Sequence, residues 1–294
     1  MSSIIDTFQL LTATPASMAG VVFLFSLLVG SFLNVVIHRL PIMMERAWKR
    51  DCAESMGQES AAVDDAVFNL VKPASCCPSC QAPIRAWQNI PVLSFLIQRG
   101  KCANCKASIS WQYPLVELAT AVLSAFVILH FGLTAQGLFA VLLTWGLIAL
   151  TAIDFRTQLL PDAITLPLLW LGMLLSLWHV YVPPHTAIIG AVAGYLSLWS
   201  IYWLFKLITG KEGMGYGDFK LLGALGAWLG WQQLPVIILL SSVVGTVIGI
   251  GMIVTRGQDR SVPIAFGPFI AIAGWIALLW GDELLQGYLR SSGF

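Results

Sequence analysis

The sequence predicts an all-α polytopic membrane protein with about eight transmembrane helices and a small zinc-binding cytoplasmic domain in the first loop. Three observations predict it. Mean hydropathy is +0.80, with 57% hydrophobic residues against 11% charged, which is more apolar than a water-facing surface tolerates. Apolar runs near the roughly 20 residues needed to cross a hydrocarbon core recur along the chain. Between the first two of them lies one long polar stretch that carries two Cys-x-x-Cys pairs.

The spans are predicted at residues 15–37, 114–133, 137–153, 163–182, 186–205, 219–231, 234–254 and 263–280. The sixth is short, but charge placement supports it. With eight spans, fifteen of the sixteen Lys and Arg fall on one side and only Arg290 on the other. Without the sixth, Arg256 and Arg260 would lie opposite Lys206 and Lys211. Basic loops stay in the cytoplasm, so the long first loop is expected there and both termini outside it. The N-terminal tail lacks Lys and Arg before its first apolar run, so no cleavable signal is expected.

The organisation expected is an N-terminal tail and first helix at 1–37, a cytoplasmic zinc-binding domain at 38–112 and a seven-helix membrane domain at 113–294. Residues 45–72 are open between a peripheral helix and a mobile insertion. A net charge of +1 and a pI near 7.6 give no basic field for nucleic acid; the lipid bilayer is the expected surrounding. Trp111, Trp178, Trp203, Trp231 and Trp280 fall near span ends, where indole favours the headgroup level.

Cys77-Pro-Ser-Cys80 and Cys102-Ala-Asn-Cys105 are separated by 21 residues. Each pair can aim two thiolates at one tetrahedral ion. A reducing cytoplasm disfavours disulfides, so metal is the preferred reading. Four thiolates leave no open position, which makes such a zinc structural. Cys76 is a possible substitute ligand, and Cys52 reads as a free thiol.

Asp154 ends the third predicted span and Asp218 begins the sixth, so both fall on the cytoplasmic face. Carboxylates at membrane depth are costly unless paired or hydrated, and so mark function. Asp218 closes Gly213-Met-Gly215-Tyr-Gly217-Asp218, whose bare backbone admits another chain closely. No Lys-Ser/Thr follows these glycines and no strand precedes them, which excludes a nucleotide loop. The bland alternatives are a solvated helix-end charge for either Asp and an N-cap for Asp218. Asp162, after Pro161, reads as structural. Glu117 is a supporting carboxylate expected to pair with a basic side chain. His38, His130, His179 and His185 form no convincing set. Two close carboxylates share one proton, as aspartic proteases do. The rival readings are a transporter using Asp154 and Asp218 as a proton relay, and a Cys-rich binding module on a membrane anchor.

These residues resemble the type IV prepilin peptidases, bifunctional leader peptidases and N-methyltransferases of pilus and type II secretion systems. The resemblance is carried by Ser31-Phe-Leu-Asn-Val-Val-Ile-His-Arg-Leu-Pro41, both Cys pairs, Gln88-Asn-Ile-Pro-Val-Leu-Ser94, Tyr113-Pro-Leu-Val-Glu117, the Asp154 segment and Gly215-Tyr-Gly217-Asp218. It implies a bacterial inner-membrane enzyme with periplasmic termini. Asp154 and Asp218 are then the peptidase pair, and Cys77, Cys80, Cys102 and Cys105 the zinc ligands. Gly100 and Lys101 match positions associated with methyl transfer from S-adenosylmethionine, an activity that rests on the resemblance alone. The implied substrates are prepilins or pseudopilins with a basic leader and a hydrophobic segment.

Overall fold

The computed structural model describes residues 14–56, 67–256 and 265–291. The chain divides into two compact units, Met1–Leu133 and Thr134–Phe294. Residues 57–66 of the open 45–72 stretch lie outside the described residues, as do Arg260 and the first two positions of the eighth predicted span.

In the first unit, α1 covers Pro15–Ser55, α2 Leu93–Ile97 and α3 Gln112–Phe131. Thr14 starts α1: its Oγ1 accepts the Ser17 N–H at 3.2 Å, with Pro15 in the first turn, where a missing N–H costs nothing. The first span was predicted to end at 37, yet α1 continues through Pro41 to Ser55. Pro41 removes one hydrogen bond, but the Leu, Ile and Met around it are compatible with helix. At 1.5 Å per residue the helix is about 60 Å long, roughly twice a hydrocarbon core. Its polar second half, where Lys49 pairs with Glu45 at 2.7 Å, therefore extends beyond the membrane. This answers part of the question left open at 45–72: residues 45–55 are helix.

α1 and α3 pack at close range through Gly30. A Cβ there would stand 2.6 Å from the Glu117 Cα, so only glycine allows the approach. Asn34 on α1 donates from Nδ2 to the Tyr113 carbonyl at 3.0 Å. Arg39, buried, donates to the Asn69 and Pro73 carbonyls at 2.9 and 2.7 Å, fastening the polar segment back onto α1.

The second unit holds α4 (Ala135–Thr157), α5 (Asp162–Ser176), α6 (Pro184–Thr209), α7 (Tyr216–Leu229), α8 (Leu234–Arg256) and α9 (Gly267–Ser291). Helix α7 is its core, packed by α5, α6 and α9. From Asp218 to Leu229 every residue but Lys220 is buried, as expected of a helix apolar on all faces. Gly190 on α6 and Gly226 on α7 meet backbone to backbone, each occupying the space of the other's absent Cβ. Trp228 donates from Nε1 to the Leu168 carbonyl at 2.7 Å and fills the space above Gly172. Helix α9 bends at Trp280, where φ is −130°, the position at which the eighth span was predicted to end.

The fold is the all-helical membrane architecture expected. Among the described residues six helices are long and apolar enough to cross a membrane. The helices over the fourth and sixth predicted spans have 15 and 14 residues, about 22 and 21 Å at 1.5 Å per residue. The apolar run of the fourth continues past Ser176 into non-helical turns, and α7 is apolar because protein surrounds it.

Candidate active site and metal centre

Asp154 lies three residues before the end of α4, which is closed by Gln158 in the left-handed conformation. Asp218 is the third residue of α7. They are 4% and 6% exposed, so neither is a solvated helix-end charge. Nor is Asp218 the N-cap: that position belongs to Gly215, whose backbone N–H is accepted by the Asp218 carboxylate. A side chain at the third position reaching back in this way replaces a capping residue. The chain around both acids converges on Leu160, which meets Gly217 beside Asp218 and Gly267 beside Asp154.

The site is assembled by contacts around Leu160, in the turn between α4 and α5. A Cβ on Gly217 would lie 2.6 Å from Leu160 Cβ, and one on Gly267 would lie 3.0 Å from Leu160 Cδ1. Gly217 thus lets the start of α7 close on the turn after α4, carrying Asp218 toward Asp154. Asp162 is the first residue of α5, where the helix dipole favours it, and at the same end it also pairs with Lys220 at 2.7 Å. Gly267 begins α9 and places its backbone N–H on the Asp154 carboxylate. The other oxygen, Asp154 Oδ2, is buried without a hydrogen-bond partner. The sequence reading missed Gly267 and Leu160. The available signal was Gly267-Pro268, a helix-start pair that fell inside the eighth predicted span.

The four expected cysteines converge. The sulfurs of Cys77, Cys80, Cys102 and Cys105 all lie within 4.8 Å of one another, and Cys77 and Cys105 are 3.8 Å apart. Tetrahedral Zn–S bonds of about 2.3 Å place sulfurs about 3.8 Å apart, so the geometry suits such an ion. Two matching knuckles build it. In one, Gln81 N–H bonds the Cys77 carbonyl at 2.9 Å; in the other, Lys106 N–H bonds the Cys102 carbonyl at 3.0 Å. Gln81 and Lys106 are both left-handed, with φ of 59° and 62°. Backbone N–H groups of Cys105 and Asn104 hold the Cys102 thiol down at about 6, and that of Ala82 with the Asn104 amide lowers Cys80, while burial and the neighbouring thiols push Cys105 up to about 11. Cys76 stands outside the cluster, bonded to Gln81 Oε1 at 3.3 Å, and Cys52 lies half-buried on α1. No histidine joins the cluster among the described residues.

Gly100 and Lys101 lead directly into the second knuckle. Gly100 has φ of +67° and bonds Phe95 O at 2.9 Å, while its carbonyl accepts Ile109 N–H at 2.7 Å. Lys101 is exposed. Glu117 departs from expectation: its carboxylate accepts the Val92 N–H at 2.7 Å and the Ser31 hydroxyl, and no ion pair reaches it among the described residues. The chain bends back over α3 at Val92, bringing an amide to the carboxylate.

Residues 24–131 match the Bacterial Peptidase A24 N-terminal domain, and residues 141–250 match the Type IV leader peptidase family. A prepilin leader peptidase/N-methyltransferase of Pseudomonas aeruginosa is 56% identical over 97% of this chain and 98% of its own. One from Aeromonas hydrophila is 58% identical over 92% and 94%. One from Neisseria gonorrhoeae is 51% identical over 88% and 89%. No solved structure matches significantly.

Proposed function

Because the chain belongs to the prepilin leader peptidase/N-methyltransferase family, we propose that it is an intramembrane aspartic endopeptidase that removes prepilin or pseudopilin leaders at the cytoplasmic membrane face and then N-methylates the new N-terminus. The observation that carries the peptidase reading is the pair of buried carboxylates, with Asp154 Oδ2 left without a hydrogen-bond partner. Two carboxylates so placed share one proton. The ionised member takes a proton from water as it attacks the scissile carbonyl. The protonated member donates its proton to the developing oxyanion, and the proton taken from water passes from the other member to the leaving amine as the C–N bond breaks. No covalent intermediate is required. A substrate's hydrophobic segment enters from the bilayer and leaves its basic leader at the cytoplasmic side, which the charge distribution assigns to both acids.

Cys77, Cys80, Cys102 and Cys105 would hold Zn2+, whose four thiolates fill its shell and restrict it to folding free energy. S-adenosylmethionine would supply an electrophilic methyl group. Gly100 and Lys101 are the residues assigned to that half of the reaction, on a turn whose shape is fixed by Phe95 and Ile109. The enzyme resides in the bacterial inner membrane with both termini periplasmic.

Leader cleavage by reconstituted protein tests the peptidase assignment. Asp154→Asn and Asp218→Asn should each abolish cleavage while the protein still inserts, because an amide can fill neither role. Full activity in either variant removes that residue from the pair.

A further inference from the structure

The place of a side chain at Gly267 is taken by Asp154 and Leu160. A Cβ on Gly267 would stand 2.6 Å from Asp154 Oδ2 and 3.0 and 3.2 Å from the two Leu160 methyls. Its φ is not in the left-handed region, so backbone freedom is not what this glycine supplies. Space is. Gly267 opens α9, where the first N–H groups of a helix lack intrahelical partners. Pro268 has no N–H, and Phe269 and Ile270 both donate to the Phe266 carbonyl, at 3.0 and 3.3 Å. The Gly267 N–H is therefore the free donor at this helix end, and it falls on Asp154. The remaining oxygen, Oδ2, is buried and unpartnered.

We propose that Gly267 is a positioning residue for leader cleavage: its N–H orients the Asp154 carboxylate, and its missing side chain leaves room for Oδ2 to face Asp218 and water. The proposal rests on the reading of Asp154 and Asp218 as the catalytic pair. A methyl group at 267 cannot be absorbed by the backbone of α9. It turns the Asp154 carboxylate instead, and at 4% exposure that carboxylate has no solvent to turn into. Misplacement of a reacting group by about 1 Å costs on the order of 100-fold in rate.

The test uses the full-length protein in liposomes and four variants: Gly267→Ala, Leu160→Ala, the two combined, and Asp154→Asn. Leader cleavage, methylation of a leader-free pilin and the thermal unfolding midpoint are measured for each. Gly267→Ala should lower kcat for cleavage about 100-fold with KM within a few-fold, and leave methylation near wild type. Because Leu160→Ala removes the methyls that a Cβ at 267 would meet but not the collision with Oδ2, the double variant should stay as impaired as Gly267→Ala. Recovery of cleavage in the double variant would overturn the proposal, since Gly267 would then serve packing alone. Wild-type cleavage by Gly267→Ala overturns it as well, and so does parallel loss of cleavage and methylation, which signals general misfolding. Cleavage by Asp154→Asn would instead remove the catalytic pair, a failure distinct from an active Gly267→Ala beside an inactive Asp154→Asn.

Discussion

The Glu117 carboxylate accepts the Val92 backbone N–H at 2.7 Å, and Val92 has φ of +58°, a conformation a β-branched residue rarely adopts. A buried acid on α3 thus braces a strained turn at the start of α2. From there Phe95 reaches Gly100, whose Cβ position lies 3.1 Å from the ring. Glu117→Ala should release this turn at a cost of about 1–3 kcal/mol, the range for a buried group left unsatisfied. Hydrogen exchange should quicken between residues 92 and 101, with a smaller effect in Glu117→Gln, which keeps an acceptor. Unchanged exchange in Glu117→Ala would show that the turn holds itself.

Metal loss should affect the two activities unequally. Cys77→Ser or Cys102→Ser should lower bound zinc and loosen the polar domain, reducing methyl transfer more than leader cleavage. Measuring metal content, leader removal and methylation on the same detergent-solubilised variants decides this. A well-folded, zinc-free enzyme that loses cleavage completely would reopen a metallopeptidase reading.

Reporter fusions address the orientation. A reporter placed after Gly57 or Gly210 should read as cytoplasmic, and one at the C-terminus as periplasmic. Opposite signals would reverse the charge-based assignment, though Asp154 and Asp218 would still occupy one site.

The meeting of α6 and α7 should tolerate no side chain. At Gly190 and Gly226 a Cβ would be driven into the facing backbone, which cannot rotate away as a side chain can. Gly190→Ala or Gly226→Ala should lose at least the 1–3 kcal/mol typical of overpacking. In a detergent melting assay, Gly20→Ala, which meets nothing within 4 Å, should melt as wild type does. Equal melting of all three would mean the helices stand further apart.

The sequence by itself determined the helical membrane class, the four converging cysteines and the choice of Asp154 and Asp218. Each signal is local: apolar run length, Cys-x-x-Cys spacing, and carboxylates at the ends of apolar runs. Tertiary structure decided what depends on distant neighbours. The burial of α7 among α5, α6 and α9 is one such feature, because hydropathy cannot distinguish a helix covered by lipid from one covered by protein. Helix α1 outruns its apolar stretch because hydropathy marks where a membrane ends, not where backbone hydrogen bonding does. Glu117 found a backbone amide rather than a basic side chain because Val92 folds back over α3. Gly267 comes to Asp154 from 113 positions along the chain, and no sequence period records that approach. Only folding brings the free N–H of one helix to the buried carboxylate of another.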